Sequence, residues 1–441
     1  MERQQNDTLA NARMPHREAM SGAVAAGLRY DIGQVEGLSA TRALRRYYSS
    51  TGGNFSPANP TIRLDISSAN FLDLNSALLC FTITNTTGVA IKPDGGAACC
   101  IERVRVLSNQ GQVLESIEHY NLWAATTGQF TSTQEEANAM SILAQGPTNI
   151  LDNTTAGELA IAGVVPVMIP IKSAFFQNAS AKYLPSNAGF TLEVTLAAGA
   201  ASFVRGDAGV VTYTVANVYL QVPDVQVHDN GFTANLAALA QENGGMLSWS
   251  GLTAKTSFGS LTGAANHTIH INDRSRSLRA LMTVLRDNAA IADAELYSLS
   301  AKSIGWLSLW DYEIAGRPCP AQAVEVAAPG GTAATYAQLM RLWSSTGSMN
   351  TGLVTRAAFD GAIAAGVADA ASIACIGTAL ESFEDGSLYS GIDTASMAQP
   401  VSLRVTTAAA IGGLTLEATT FALCDIEFGF NVNTGELSAS I

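Results

Sequence analysis

The sequence predicts an all-β chain of two domains, and three observations carry the prediction. Its 441 residues exceed one ordinary domain and suit two of roughly 200 residues each. From about Asn54 onward the texture is short β segments separated by turn clusters. The two halves also echo one another. Tyr120-Asn121-Leu122-Trp123 followed by Thr127-Gly128 resembles Tyr336 to Trp343 followed by Thr346-Gly347, an aromatic helical segment after several strands in each half. A repeat of domain length fits two copies of one β-sandwich.

Residues 1–50 read as an N-terminal arm. Ala23–Leu28 and the amphipathic-looking Leu38–Tyr48 predict one or two short helices, ordered mainly by neighbouring subunits. The first domain, 51–225, begins with Thr61–Ile66, apolar at every second position, and the nearly continuous apolar run Ser76–Thr84. In Cys100–Leu107 the alternation sets Ile101, Arg103 and Arg105 against Glu102, Val104 and Val106. Ser108-Asn109-Gln110-Gly111 then turns the chain into Val113–Ile117, and Glu118–Ala125 reads as a short helix. Val164–Ile171, Phe190–Ala197 and Val210–Val222 complete the domain, with Val211, Tyr213, Val215 and Asn217 opposite to Thr212, Thr214, Ala216 and Val218.

Residues 226–245 read as a linker, with Asp229-Asn230-Gly231, a short Ala/Leu helix and Asn243-Gly244-Gly245. The second domain, 246–441, has strands at Leu247–Phe258, His267–Ile271, Ser277–Arg286 and Val401–Thr407, and a strand pair from Leu414 to Val432. Between them lies a stretch rich in Ala, Gly and Ser, about 318–391, with one helix near Tyr336–Trp343. A stretch of this length inside a β domain reads as an inserted surface structure.

Composition narrows the function. Apolar residues make up 47% of the chain and charged ones 14%, against about 25% charged in a typical soluble domain. There is ample core material but little charge to coat an isolated surface, so much of that surface is expected against other copies of the chain. A membrane helix needs an unbroken apolar run, and the nearest approach, Ala357–Leu380, is interrupted by Asp360 and Asp369. The opening Met1–Asp7 has no apolar stretch, which predicts synthesis in the cytosol and no glycan on the Asn6, Asn85, Asn153, Asn178 or Asn266 sequons. The six cysteines, Cys80, Cys99, Cys100, Cys319, Cys375 and Cys424, form no CxxC pair and read as small buried hydrophobes.

A net charge of −13 argues against a general nucleic-acid surface. The charge is uneven, however. Residues 1–46 hold seven arginines (Arg3, Arg13, Arg17, Arg29, Arg42, Arg45 and Arg46) against five acids, a net of +2, and the remainder carries −15. Two readings stay open: a leader that faces something anionic, or a solvated helix end.

No catalytic constellation emerges. None of the five lysines completes a phosphate-binding GxxxxGK loop, and neither a GxSxG elbow nor an HExxH helix occurs. His267 and His270 are three apart on a predicted strand and so point to opposite faces, unable to share a metal there. His16, His119 and His228 stand alone. Glu135-Glu136 and Glu381 with Glu384-Asp385 are acid pairs of the kind glycosidases use, but adjacent acids in polar turns read as solvated. Arg274, Arg276 and Arg279 either pair with acids of a neighbouring subunit or cap a solvent edge. The chain predicts no enzyme, no metal and no cofactor.

Several segments together resemble the double jelly-roll major capsid proteins of tailless icosahedral DNA viruses, in their polinton-like virus and virophage-like branch. They are Phe71–Leu79; Cys100–Val106 running through Gly111 to Glu118-His119-Tyr120-Asn121; Ser277–Val284; Gly316-Arg317-Pro318-Cys319-Pro320; and Ser390–Thr394 before the closing run with Cys424-Asp425-Ile426. The cues span about 54–441 and agree in order more than in letter; the chain is short for the family, and the Ala-rich 357–380 segment has no counterpart. The resemblance implies two consecutive eight-stranded jelly rolls, each of two four-stranded sheets with Greek-key connections. It further implies a homotrimeric, pseudo-hexagonal capsomer that tiles an icosahedral virion, with penton and minor capsid proteins as partners. The arginine-bearing arm would then face the interior, near genome or inner membrane.

Two rivals make different demands. A carbohydrate-binding adhesin needs exposed aromatic platforms, for which Trp306, Trp310 and Trp343 are the candidates. A single jelly-roll RNA-virus coat protein with a protruding domain would carry a strongly basic arm, more than the +2 found here.

Overall fold

Alternating apolar residues build two main sheets in each half of the chain. A computed structural model describes residues 39–441 except 134, 137–138, 140–158, 178–181, 206–208, 229–235, 237, 239, 264–265, 293–297, 301, 327–330, 347–353, 355–358, 360–373, 382–390, 397–399 and 409–413. The first half contains β1 (Ala40–Tyr48), β2 (Asn54–Phe55), β3 (Thr61–Ser67), β4 (Phe71–Leu72), β5 (Leu78–Asn85) and β6 (Ile91–Pro93). It continues with β7 (Ile101–Ser108), β8 (Val113–Glu118), β9 (Val164–Pro170), β10 (Gly189–Leu196), β11 (Phe203–Arg205) and β12 (Tyr213–Val227). One main sheet runs β1-β12-β5-β9, with β2 and β4 also on β12; the other main sheet runs β3-β10-β7-β8, and β11 pairs with β6 in a separate two-stranded ribbon.

The second half contains β13 (Met246–Thr262), β14 (Asn266–Ile271), β15 (Leu278–Asp287), β16 (Leu307–Ile314) and β17 (Arg317–Glu325). Then come β18 (Ile376–Ala379), β19 (Val401–Thr407), β20 (Thr415–Asn431) and β21 (Glu436–Ser440). Its sheets run β13-β20-β15-β18, with β21 on β20, and β14-β19-β16-β17. Leaving the short accessory strands aside, each half thus pairs its principal strands first-eighth-third-sixth and second-seventh-fourth-fifth, all antiparallel. That is the eight-stranded jelly roll, made twice in one chain. Helices α1 (Tyr120–Thr131) and α3 (Gly331–Ser345) occupy the same connection, between the fifth and sixth principal strands of each roll, and the short α2 (Asn288–Ala292) follows β15. The helical echo in the sequence therefore corresponds to one topological position used twice.

Where the sequence alternates cleanly, the strands follow. In β3, Ile62, Leu64 and Ile66 face the core while Arg63, Asp65 and Ser67 face out. In β12 the expected alternation fails at Asn217. This residue has φ +52° and sits in a bulge against β5 between Ala216 and Tyr219. Asparagine tolerates that left-handed backbone, and the extra residue shifts the phase. Tyr213 and Val215 lie inward before it, and Val218, Leu220 and Val222 lie inward after it. Ile101 is likewise buried rather than sharing a face with Arg103 and Arg105, because the register against β10 slips between Thr195 and Leu196.

Three expected segments are corrected. Leu38–Tyr48 is not helical: β1 takes up Ala40–Tyr48 and is zipped antiparallel onto β12 along its whole length, from Ala40 opposite Val227 to Tyr48 opposite Tyr219. The first jelly roll therefore starts eleven residues earlier than the expected 51, using residues assigned to the arm. The 318–391 stretch is not simply an insertion, since it contributes β17, α3 and β18 to the second roll; most of Ala357–Leu380 lies outside the described residues. Leu414–Val432 is one long strand, β20, rather than a pair. It is buried on both faces along most of its length, which makes the run continuously apolar.

Residues 40–441 form one compact unit. The apolar core continues from one roll into the other through aromatic contacts. Phe175 of the first half meets Phe428 at 5.2 Å and Trp249 at 6.2 Å, and Trp123 meets Phe421 at 5.4 Å. Phe130 on α1 stacks on Trp343 of α3 at 6.0 Å. Gly251 allows a close approach there, since a Cβ at this position would stand 2.8 Å from that of Ala174.

Candidate functional site

The side chains that could carry chemistry are occupied by structure. No group of three or more His, Cys, Asp or Glu among the described residues could hold a metal ion. On β14, His267 points inward with Ile269 while His270 points out. His119 pairs with Glu102, and His228 bonds Thr41; His16 lies outside the described residues. Glu135 and Glu136 are exposed, Glu384 and Asp385 lie outside the described residues, and Glu381 is paired with Arg279, which also holds Asp425 at 2.8 Å. Arg279 thus meets acids of its own chain, whereas Arg274 and Arg276 are exposed. Five cysteines are buried and Cys319 is partly so; burial pushes the Cys100, Cys375 and Cys424 thiols up to about 12, which keeps them protonated. Asn85 is buried, with its amide donating to the carbonyls of Val89, Leu159 and Ala160.

What the fold does build is a polar seam joining the two jelly rolls. Asp94, just after β6, accepts hydrogen bonds from the backbone of Leu299 (2.6 Å) and Ser300 (3.0 Å) and from the Ser300 hydroxyl. Gln129 on α1 donates to the Ser300 carbonyl at 2.7 Å and accepts from Lys302 Nζ at 2.5 Å, while Lys302 also donates to the Leu299 carbonyl. Lys302 is fully buried, and the desolvation of its ammonium lowers its pKa to about 7, with Asp94 and Cys375 acting in the opposite sense. Glu115 on β8 accepts from the backbone of Ala174 and Phe175 and from the hydroxyl of Thr253 on β13. Desolvation raises the Glu115 pKa, partly offset by those hydrogen bonds. None of these residues stood out in the sequence, where each is an isolated polar residue with no spacing to mark it.

The arginines of the leader divide. Arg3, Arg13, Arg17 and Arg29 lie outside the described residues. Arg42 and Arg45 on β1 bind carboxylates of their own chain, Asp73 and Asp224, each at 2.7 Å, and Ser68 also donates to Asp224. Arg46 stands 5.0 Å over the Tyr219 ring. These three tie the edge strand to the body. Beside them Leu44 and Tyr48 are 65% and 62% exposed, and Val164, Val210 and Phe258 add further exposed apolar groups elsewhere. The three candidate platform tryptophans, Trp306, Trp310 and Trp343, are all buried, which removes the sugar-binding surface the adhesin reading needed. The second jelly roll stands where the RNA-virus rival would have a protruding domain.

This doubled architecture is shared with solved structures. The fold is that of the double jelly-roll major capsid proteins. The chain is similar to the Faustovirus major capsid protein, at a TM-score of 0.59 and 9% identity over 91% of this chain and 92% of that one. It is similar to PBCV-1 VP54, as fitted into a cryo-EM reconstruction of the virophage Sputnik, at 0.58 and 12% over 93% and 100%. It is also similar to the mavirus major capsid protein, at 0.51 and 9% over 95% and 93%. Neither a protein-family model nor a curated protein matches the sequence.

Proposed function

We propose that this chain is a structural, non-catalytic major capsid protein whose trimers form pseudo-hexagonal capsomers that tile an icosahedral shell. The observation that carries the reading is the fusion of two jelly rolls of identical topology into one body by an apolar and polar seam. Three such chains supply six similar rolls, the number a hexagonal tile needs. The low charged fraction and the exposed apolar residues support lateral burial between copies. In the virion, penton and minor capsid proteins would complete the shell.

The leader completes the proposal. Arg3, Arg13, Arg17 and Arg29 would face the shell interior, toward genome or an inner membrane, and Arg42, Arg45 and Arg46 would anchor the strand from which that leader departs. Deleting residues 1–38 should leave trimers intact and impair shell assembly. Deletion through 46 is a poorer test, because it removes most of β1.

Light scattering on the purified protein tests the oligomer. A mass three times the 45.9 kDa of one chain, or shell-sized particles, supports the reading, and a stable monomer at neutral pH and moderate salt overturns it.

A further inference from the structure

Beside the seam lies a partly open pocket of about 450 Å³ lined by both jelly rolls. Trp123, Thr127 and Lys172 come from the first, and Leu252, Trp343 and Leu423 from the second. One feature sets it apart from a packing defect. Lys172 brings a positive charge to an otherwise largely apolar wall. Its Nζ donates to Thr127 Oγ1 at 3.1 Å, and the Glu136 carboxylate acts on it electrostatically without forming a direct ion pair. An ammonium has three protons to donate.

We propose that this cavity binds a linear amphiphile with one carboxylate head, the head at Lys172 and the chain along Trp123, Trp343, Leu252 and Leu423. The single cation calls for a single anionic charge. The volume lies within the range of small-molecule sites, and a bare inorganic anion would leave most of the apolar lining uncovered. Desolvation lowers the Lys172 pKa to about 8 despite the opposing pull of Glu136, so an incoming carboxylate at hydrogen-bond distance would favour the charged ammonium further. Because the walls come from both rolls, the occupant would clamp them together and stabilise the folded chain by mass action.

The test is calorimetric titration of the full-length protein with sodium decanoate, decanol and decyltrimethylammonium, each below its micelle concentration. Decanoate should bind saturably at one per chain, raise the melting temperature and change tryptophan emission. Decanol should bind at least tenfold more weakly, and the cation not at all. Lys172→Met should bring decanoate down to the affinity of decanol. Ala254→Leu, which fills the cavity from β13, should abolish binding of every probe while the protein remains folded. No saturable decanoate binding, equal binding of all three head groups, or full binding by the folded Ala254→Leu protein would each overturn the proposal.

Discussion

Replacing Asp94 with alanine removes the carboxylate onto which the Leu299–Ser300 segment of the second roll is folded. Three donors converge on that side chain, two of them backbone amides that have no alternative in a buried loop. A hydrogen bond to a charged group is worth about 1.5–3 kcal/mol, but the three are not additive because the carboxylate's own desolvation cost is relieved with them. Breaking one side of a buried charged network costs about 3–5 kcal/mol, and Lys302 loses a stabilising neighbour as well, so a loss near 4 kcal/mol is expected. Ser300→Ala deletes only the hydroxyl donor and should cost about 1–2 kcal/mol. Urea unfolding followed by tryptophan fluorescence, at one fixed protein concentration so that any association is held constant, measures both. An Asp94→Ala protein within about 1 kcal/mol of the parent, or a Ser300→Ala protein equally damaged, would refute the view that this carboxylate organises the seam.

Other outcomes follow from the same structure. The lowered pKa values of Lys302 (about 7) and Lys172 (about 8) mean that the unfolded chain, with lysines near 10.5, binds more protons just above neutrality, so stability should rise from pH 7 toward 9. The buried thiols act with the opposite sign above their ordinary value of 9, so the rise should stop there; Lys302→Met should flatten it, and urea midpoints across this range give the answer. Arg45→Ala leaves the buried Asp224 with less compensation and should cost about 1–3 kcal/mol, with faster amide exchange across 40–48 than in the parent. Trp310→Ala in the second core should cost about 3–5 kcal/mol, while Phe258→Ala, half exposed on β13, should cost under about 1 kcal/mol in a dissociated chain; denaturation midpoints distinguish them.

Most strands were legible because one face of each is buried and the sequence alternates accordingly, as in Thr61–Ser67. What was illegible had physical reasons. Ala40–Tyr48 contains good helix formers and is exposed along nearly all its length, so only pairing with β12, far away in sequence, makes it a strand. Pro318 and Pro320 obscured β17, which tolerates them because it is the edge of its sheet. Ile376–Ala379 hid in an Ala-rich stretch, and its Gly377 is there for space: a Cβ would meet Leu342 Cδ1 at 2.6 Å and Leu281 O at 2.8 Å. Asn217 and the slip at Ile101 shift the phase of strands whose faces were read as unbroken. The seam was invisible for a different reason, since Asp94, Glu115 and Gln129 find their partners Ser300, Thr253 and Lys302 more than 130 residues away and acquire meaning only when the two rolls meet.

In the proposed capsomer, two fused jelly rolls per chain are arranged for a hexagonal tile. Electron cryomicroscopy of the purified protein tests it most directly. Class averages should show three-fold symmetry and a hexagonal outline, each third holding two jelly rolls side by side. Isolated two-lobed monomers, or closed two-fold dimers with no three-fold particle at any protein concentration, would contradict it.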